Sequence, residues 1–214
     1  MRKTIANRLQ KRCHEAVHIT VTREVDAEAL VAAADAGPSK RWSPTSSSVR
    51  SRTRSTSTRR STACSRTGRT PFEEHNVGIA VDIDGGLVTP VVADVAPKSL
   101  GEVATERRRL TNAVRSGEYS MSDLRGGTIT LSNLGPLGVD SFTPVINPPE
   151  VAILGVDRIT ELAVPDDGDN AVAFRRRITF DLSFDHRVVD GADGARFLGT
   201  LAECVKTADD YVDE

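Results

Sequence analysis

The spacing of apolar residues divides the chain into alternating strand-like and helix-like stretches. Ile5 and Leu9 lie four apart between Thr4 and about Lys11, marking a short helical face, whereas Ile19-Thr20-Val21-Thr22 alternates with the period of two of a half-buried strand. Ala27 to Ala34 reads as a second short helix. Val77, Ile79, Val81 and Ile83 alternate with Gly78, Ala80 and Asp82 and end in Asp84-Gly85-Gly86; Leu87 to Val92 then resumes as an apolar strand after this turn. Ser99 and Glu102 have capping-box spacing, Leu100, Val103, Leu110 and Val114 share one stripe, and Gly117 stops the helix. Thr128 to Leu131 is a strand running into Ser132-Asn133-Leu134-Gly135, and Val151 to Val156 is another, following the rigid Asn147-Pro148-Pro149. Ile178, Phe180, Leu182 and Phe184 alternate with Thr179, Asp181 and Ser183, which predicts one buried face. Ala195, Leu198, Leu201, Ala202 and Val205 then mark a closing helix. The predicted class is mixed α/β.

The 214 residues, 38% hydrophobic and 27% charged, suffice for one globular domain with a core. Aromatics at 4% make that core aliphatic, and no apolar run approaches the roughly 18 residues a membrane span requires. Met1-Arg2-Lys3-Thr4 is basic but no apolar stretch follows, so export is not expected. Cys13, Cys64 and Cys204 are widely spaced and odd in number, which fits neither a disulfide framework nor a four-cysteine zinc site; a reducing, cytoplasmic location is expected.

The net charge of -2 conceals an asymmetry. Pro38 to Pro71 carries nine of the 28 Lys and Arg residues and no Asp or Glu, leaving 19 basic against 30 acidic residues, or -11, over the other 180. Seventeen of its 34 residues are Ser or Thr, and Trp42, Val49, Ala63 and Cys64 are its only hydrophobic members. Ordering backbone costs roughly 1 to 2 kcal/mol per residue, which so little apolar area cannot offset, so the segment is expected to be disordered. It could contact phosphates as arginine-rich segments do on RNA, serve as a solvated linker, or be a stretch translated out of frame. The acidic excess elsewhere hints at adaptation to high salt.

Two motifs invite chemistry. His14-Glu15-Ala16-Val17-His18 matches the HExxH of zinc peptidases, in which two histidines one helical turn apart hold the metal. The β-branched run from Ile19 implies that the helix has ended by about His14, so no metal site is expected. Asp185-His186-Arg187-Val188-Val189-Asp190-Gly191 stands where a buried strand ends and a turn leads into a helix. There a neutral imidazole can be held rigidly while its ring faces a cleft, ready to take a proton. Alone, a histidine between two aspartates is more often part of a surface ion pair. Ser132 lacks a GxSxG elbow and reads first as turn chemistry.

Five blocks in order resemble one family. They are Arg2-Lys3-Thr4-Ile5-Ala6-Asn7-Arg8-Leu9; Asn76-Val77-Gly78-Ile79-Ala80-Val81-Asp82 with Gly86-Leu87-Val88-Thr89-Pro90-Val91; Gly126-Gly127-Thr128-Ile129-Thr130-Leu131-Ser132-Asn133-Leu134-Gly135; Ile146-Asn147-Pro148-Pro149-Glu150-Val151-Ala152-Ile153-Leu154-Gly155-Val156; and Asp185 to Gly191. Together they resemble the catalytic, inner-core domain of the dihydrolipoyl acyltransferases of 2-oxo acid dehydrogenase complexes, over residues 1 to 35 and 72 to 214. The resemblance implies a chloramphenicol acetyltransferase (CAT)-like two-layer sandwich, a mixed β-sheet with helices packed on it, and a single catalytic domain over 1–214.

The same resemblance implies that His186 is the base that deprotonates the thiol of coenzyme A or dihydrolipoamide, and that Ser132 donates to the oxyanion formed on the thioester. Asp190 and Arg2 match a carboxylate and an arginine that organise the active-site loop, and Asp185 and Arg187 flank the base in supporting roles. It implies a homotrimer with sites between subunits, so that a folded monomer would be inactive, and a larger core that meets 2-oxo acid dehydrogenase and dihydrolipoyl dehydrogenase components. No metal, membrane or nucleic-acid partner is expected.

Two departures qualify these expectations. The chain starts inside the first core motif, so lipoyl and subunit-binding domains are not expected within it, and lipoate is expected on another chain or on a missing domain. Segment 38–71 occupies about the length the family gives to an apolar helix and strand, which favours an out-of-frame origin and leaves an inactive remnant or a trimeric scaffold as the alternative to an enzyme. Shifting the coding DNA by one register across 38–71 should uncover an amphipathic helix; finding none would remove that explanation.

Overall fold

The computed structural model describes residues 16–36, 74–84, 86–166 and 171–208. The helix expected from Thr4 to Lys11 and segment 38–71 lie outside the described residues. In chain order the elements are β1 (His18–Asp26), α1 (Glu28–Ala36), β2 (Val77–Ile79), β3 (Val81–Ile83), β4 (Gly86–Val88), β5 (Val91–Val92), α2 (Leu100–Ser116), β6 (Ile129–Asn133), β7 (Ala152–Pro165), β8 (Val172–Asp185) and α3 (Gly191–Lys206). Six strands form one sheet in the order β1-β8-β7-β6-β2-β5, with β3 and β4 paired separately. The β2-β6 and β6-β7 pairings are parallel and the others antiparallel, giving the expected mixed sheet.

Each face of the sheet has its own chemistry. Along β7 and β8, Leu154, Val156, Phe180, Leu182 and Phe184 turn to one side and join Leu198, Leu201, Ala202 and Val205 of α3 in the aliphatic core. The opposite side carries Thr20, Thr22, Asp181, Ser183 and Asp185, and Thr20 hydrogen-bonds Ser183 at 2.7 Å across β1 and β8. Alternation in β8 was expected to leave this second face to solvent. Instead Asp181 and Ser183 are as fully buried as Phe184.

Two other expectations are revised. The alternating run from Val77 to Ile83 is two strands: β2 belongs to the main sheet, Ala80 donates its N–H to Leu131 O at 2.9 Å, and the chain then leaves to form β3. Periodicity is blind to this change of sheet because both halves bury Val and Ile. The run after the turn also divides, into β4 and β5, at Thr89-Pro90, where proline lacks the N–H that a central ladder needs. Helix α2 forms as its sequence directs. Ser99 Oγ accepts from Glu102 N at 3.2 Å, Glu102 Oε2 accepts from Ser99 N at 2.7 Å, and Gly117 closes the helix at φ 77°. No helix among the described residues is long and apolar enough to cross a membrane.

Two glycines distinguish packing from propensity. A Cβ on Gly194 would lie 2.7 Å from Cε1 of the buried Phe184, whereas one on Gly101 would meet nothing nearer than Ser99 Oγ at 4.0 Å. Gly194→Ala should lower stability by about 1 to 3 kcal/mol through overpacking, while Gly101→Ala, within α2, should raise it by about 0.5 to 1 kcal/mol. Thermal unfolding of the two variants beside the parent checks both signs.

Candidate active site

The turn after β8 is built around Asp185. Its carbonyl accepts the N–H groups of Val188 at 2.9 Å and Val189 at 3.0 Å, and the buried carboxylate accepts from the N–H groups of Val17 at 3.3 Å and Arg187 at 3.2 Å. Arg187 also closes a two-pronged ion pair on it, Nε to Oδ1 at 2.9 Å and Nη2 to Oδ2 at 2.6 Å. Burial alone would raise the pKa of Asp185, but the bonds from Arg187 and Val17 outweigh it and hold the carboxyl below its ordinary value. A carboxylate so committed holds its turn in shape and is spent as a base.

His186 follows directly, its N–H donating to Val17 O at 2.8 Å while its exposed ring lies 6.2 Å, centroid to centroid, from that of buried Phe184. Asp190 caps α3 by accepting from Asp193 N at 2.9 Å. That bond chiefly lowers its pKa, with the N–H of Ala192 and the charges of Arg196 and His186 adding to the effect. Asp185, His186, Arg187 and Asp190 therefore form one local unit anchored to β1, β8 and the start of α3.

Ser132 stands elsewhere. It lies half-buried on β6 opposite Gly155 of β7, which in turn faces Asp181 of β8 and, through it, Thr22 of β1. The turn after it forms as its sequence suggests, with Asn133 Oδ1 accepting from Gly135 N at 2.9 Å. Five residues along β8 and two strand spacings across separate Ser132 from His186, roughly 20 Å within one chain. Arg2, His14 and Glu15 lie outside the described residues, and His18 is the first residue of β1, so it occupies a strand rather than a helical face. Among the described residues no group of three or more His, Cys, Asp or Glu is arranged to hold a metal ion.

Three buried acids had escaped the sequence reading. Asp181 Oδ2 accepts from Ser141 Oγ and Phe142 N, both at 2.8 Å, and Oδ1 accepts from Thr22 Oγ1. Asp157, on the same face of β7 as Gly155, is 2% exposed, and its two oxygens meet no donor among the described residues. Burial, followed by the negative charges of Asp181 and Asp140, raises its pKa to about 7. Burial likewise raises Glu150 to about 7, opposed by hydrogen bonds to Thr130 and Asn147. A carboxylate oxygen of Glu150 occupies the space where a Cβ on Gly127 would sit, at 2.6 Å. Asp181, between Phe180 and Leu182, is placed by the alternation on the other side of the sheet, and the pattern alone does not tell whether that side is covered.

Residues 1–212 match the family model of the 2-oxoacid dehydrogenases acyltransferase catalytic domain, and the chain belongs to that family. It is 36% identical over 212 residues to the dihydrolipoyllysine-residue acetyltransferase component of the Bacillus subtilis pyruvate dehydrogenase complex, covering 94% of this chain and 47% of that protein. It is 47% identical over 123 residues to the lipoamide acyltransferase component of the Pseudomonas putida branched-chain alpha-keto acid dehydrogenase complex, over 58% of this chain and 29% of the other. The chain thus spans about half or less of the length of these curated relatives.

The solved Azotobacter vinelandii dihydrolipoamide acetyltransferase superposes with a TM-score of 0.87 at 27% identity, covering 98% of this chain and 90% of that one. It was investigated for a serine, a histidine and an asparagine in its catalytic mechanism, the last two four residues apart. A chloramphenicol acetyltransferase, at 14% identity and a TM-score of 0.57 over 93% of this chain and 94% of its own, shares the fold.

The raised pKa of Asp157 has a defined consequence for stability. The folded chain retains a proton that the unfolded chain releases near the ordinary value of 3.8, so stability falls as pH rises from about 4 to about 7. Asp157→Asn removes the charge, so its stability advantage should be near zero below pH 4, grow through that window and level off above pH 7. Urea unfolding across this range reads the effect.

Proposed function

We propose that this chain moves an acyl group between the thiol of coenzyme A and a dihydrolipoyl group, at a site made from His186 of one subunit and Ser132 of a neighbour. The observation that carries this reading is the separation of roughly 20 Å between the two side chains within one chain, on a sheet whose register leaves no freedom to close it. His186 has the exposure and rigid support that a base requires. It takes the thiol proton, the thiolate attacks the thioester carbonyl, and the Ser132 hydroxyl donates to the oxyanion. Collapse expels the second thiolate, which recovers the proton from the imidazolium.

The four-residue spacing of His186 and Asp190 equals that of the histidine and asparagine in the Azotobacter vinelandii relative, which supports placing Asp190 beside the reacting groups. Arg2 would pair with it, and Asp185 with Arg187 keeps the base in position. The dihydrolipoyl group would be carried on another domain or chain. The assembly would be a homotrimer within a larger cytoplasmic core that meets 2-oxo acid dehydrogenase and dihydrolipoyl dehydrogenase components.

A second reading, the same fold assembled without turnover, is favoured by one observation: the relative at 47% identity aligns over only 58% of the chain, so much of the remainder departs from it. Transfer from acetyl-CoA to dihydrolipoamide by the purified protein separates the two. His186→Ala should lower kcat by roughly 10² to 10⁴ and Ser132→Ala by roughly 10² to 10³. Co-assembling the two inactive variants should restore about a quarter of the parent activity, because random mixing leaves that fraction of interfaces with both groups intact. No recovery on mixing would place both groups in one chain, and His186→Ala retaining parent activity would dismiss the base.

A further inference from the structure

The residues that pack next to Ser132 are fastened to the sheet through a buried acid. Gly155, opposite the serine on β7, has no side chain, and the ring of Phe142 occupies the space: a Cβ there would lie 2.9 Å from Phe142 Cε1. Asp181, opposite Gly155 on β8, holds this segment. Its Oδ2 accepts from Phe142 N and Ser141 Oγ, both at 2.8 Å, and its Oδ1 accepts from Thr22 Oγ1. Asp181 is thus the acceptor at each of these contacts, on both of its oxygens.

Asp157 is the reverse case. It lies two residues beyond Gly155 on the same face of β7, diagonal to Asp181 and within hydrogen-bonding reach of it. It is 2% exposed, and among the described residues no N–H or hydroxyl donates to either of its oxygens. No cation answers it. Arg158 pairs with Asp140, and Arg177, further along β8, pairs with Glu24. The other groups turned toward this corner are Thr22 of β1, Thr179 of β8 and Ser141, none of them charged. Two buried acceptors side by side are reconciled by a hydrogen between them, and Asp181 already receives donors on both oxygens, so the hydrogen belongs to Asp157.

We propose that Asp157 is a positioning residue of the serine site: as the neutral acid it donates to Asp181 and so clamps residues 141 and 142 onto the sheet beside Ser132. The clamp itself stands on the contacts above, while its effect on turnover rests on the acyltransferase reading. Burial, with the charges of Asp181 and Asp140, keeps the proton on Asp157 up to about pH 7. Above that, two adjoining charges repel where water is excluded. Thr22 is fixed in a strand ladder, whereas residues 141 and 142 are not, so the segment beside the serine is the part that yields. Asparagine at 157 keeps a donor at every pH, and alanine supplies none.

Two measurements on the assembled protein test this. Amide hydrogen exchange of the peptide containing Phe142, read by mass spectrometry and corrected for the intrinsic effect of pH, follows the clamp without substrate. Protection in the parent should drop about tenfold between about pH 6 and about pH 9, persist in Asp157→Asn, and be low throughout in Asp157→Ala. Turnover is followed with acetyl-CoA and dihydrolipoamide over the same range. The ratio of Asp157→Asn to parent kcat should rise about fivefold or more from about pH 6 to about pH 9, with KM unchanged, because a loosened segment misplaces the groups that act in the transition state. A residue that served folding alone would leave this ratio flat. Equal protection in the parent and Asp157→Asn at both ends of the range overturns the clamp, and a flat kcat ratio in an active enzyme overturns the positioning role. A parent inactive at every pH overturns the acyltransferase reading instead, and the exchange comparison then decides the clamp.

Discussion

Backbone pairing among β6, β7, β8 and β1 is the constraint on which the rest of the molecule depends. It sets Ser132, Gly155, Asp181 and Thr22 in one row across four strands, and it carries the chain four residues further along β8 to Asp185 before the turn that presents His186. A slip of one residue in any of these pairings would exchange the aliphatic face for the polar one and expel the core. The same hydrogen bonds that stabilise the sheet therefore fix the distance between the candidate base and the candidate oxyanion donor. A trimer with sites between its subunits, the arrangement proposed above, is how such a sheet can bring them together.

Electrostatics divides the buried acids into two kinds. Asp185 lies under a guanidinium and two backbone donors, so its charge is the stable form and it serves as a fixed anchor for the turn. Asp157 and Glu150 have been taken out of water with less compensation, and their protonated forms persist up to about neutral pH. Neutral acids at these places let the second face of the sheet be buried without a matching set of cations. The arrangement costs stability as pH climbs from the ordinary carboxylate range to about 7, the interval in which the unfolded chain has released these protons and the folded chain still holds them.

Much of the fold was legible in the sequence because its local signals agree with its tertiary environment. The Ser99 and Glu102 box, the Gly117 stop, the strands around Leu131, Leu154 and Phe180 and the closing helix all follow from period and capping. Signals failed where burial is two-sided or absent. Beyond the register shift at Val156 and Ile159, β7 and β8 continue as a ribbon in which Arg158, Glu161, Leu162, Phe174 and Arg175 are all exposed, so no hydrophobic face exists for a pattern to reveal. Ser132 and His186 could be singled out by their positions at the ends of strands, but the distance between them depends on strand order, which no local pattern records. Asp181 was hidden by the alternation that revealed its strand, and Asp157 stands one residue beyond the apolar run from Val151 to Val156.

Gly155 bears on how a chain of this kind can diverge. The sheet contributes only a hollow at that position, and the group that fills it comes from residues 141–149, which form neither helix nor strand. A codon change at 142 would recontour the ground beside the serine without breaking a single ladder hydrogen bond, because the Asp181 anchor grips the main chain and not the ring. The sheet and the surface beside the serine thus rest on different residues, and one can drift over generations while the other stands still.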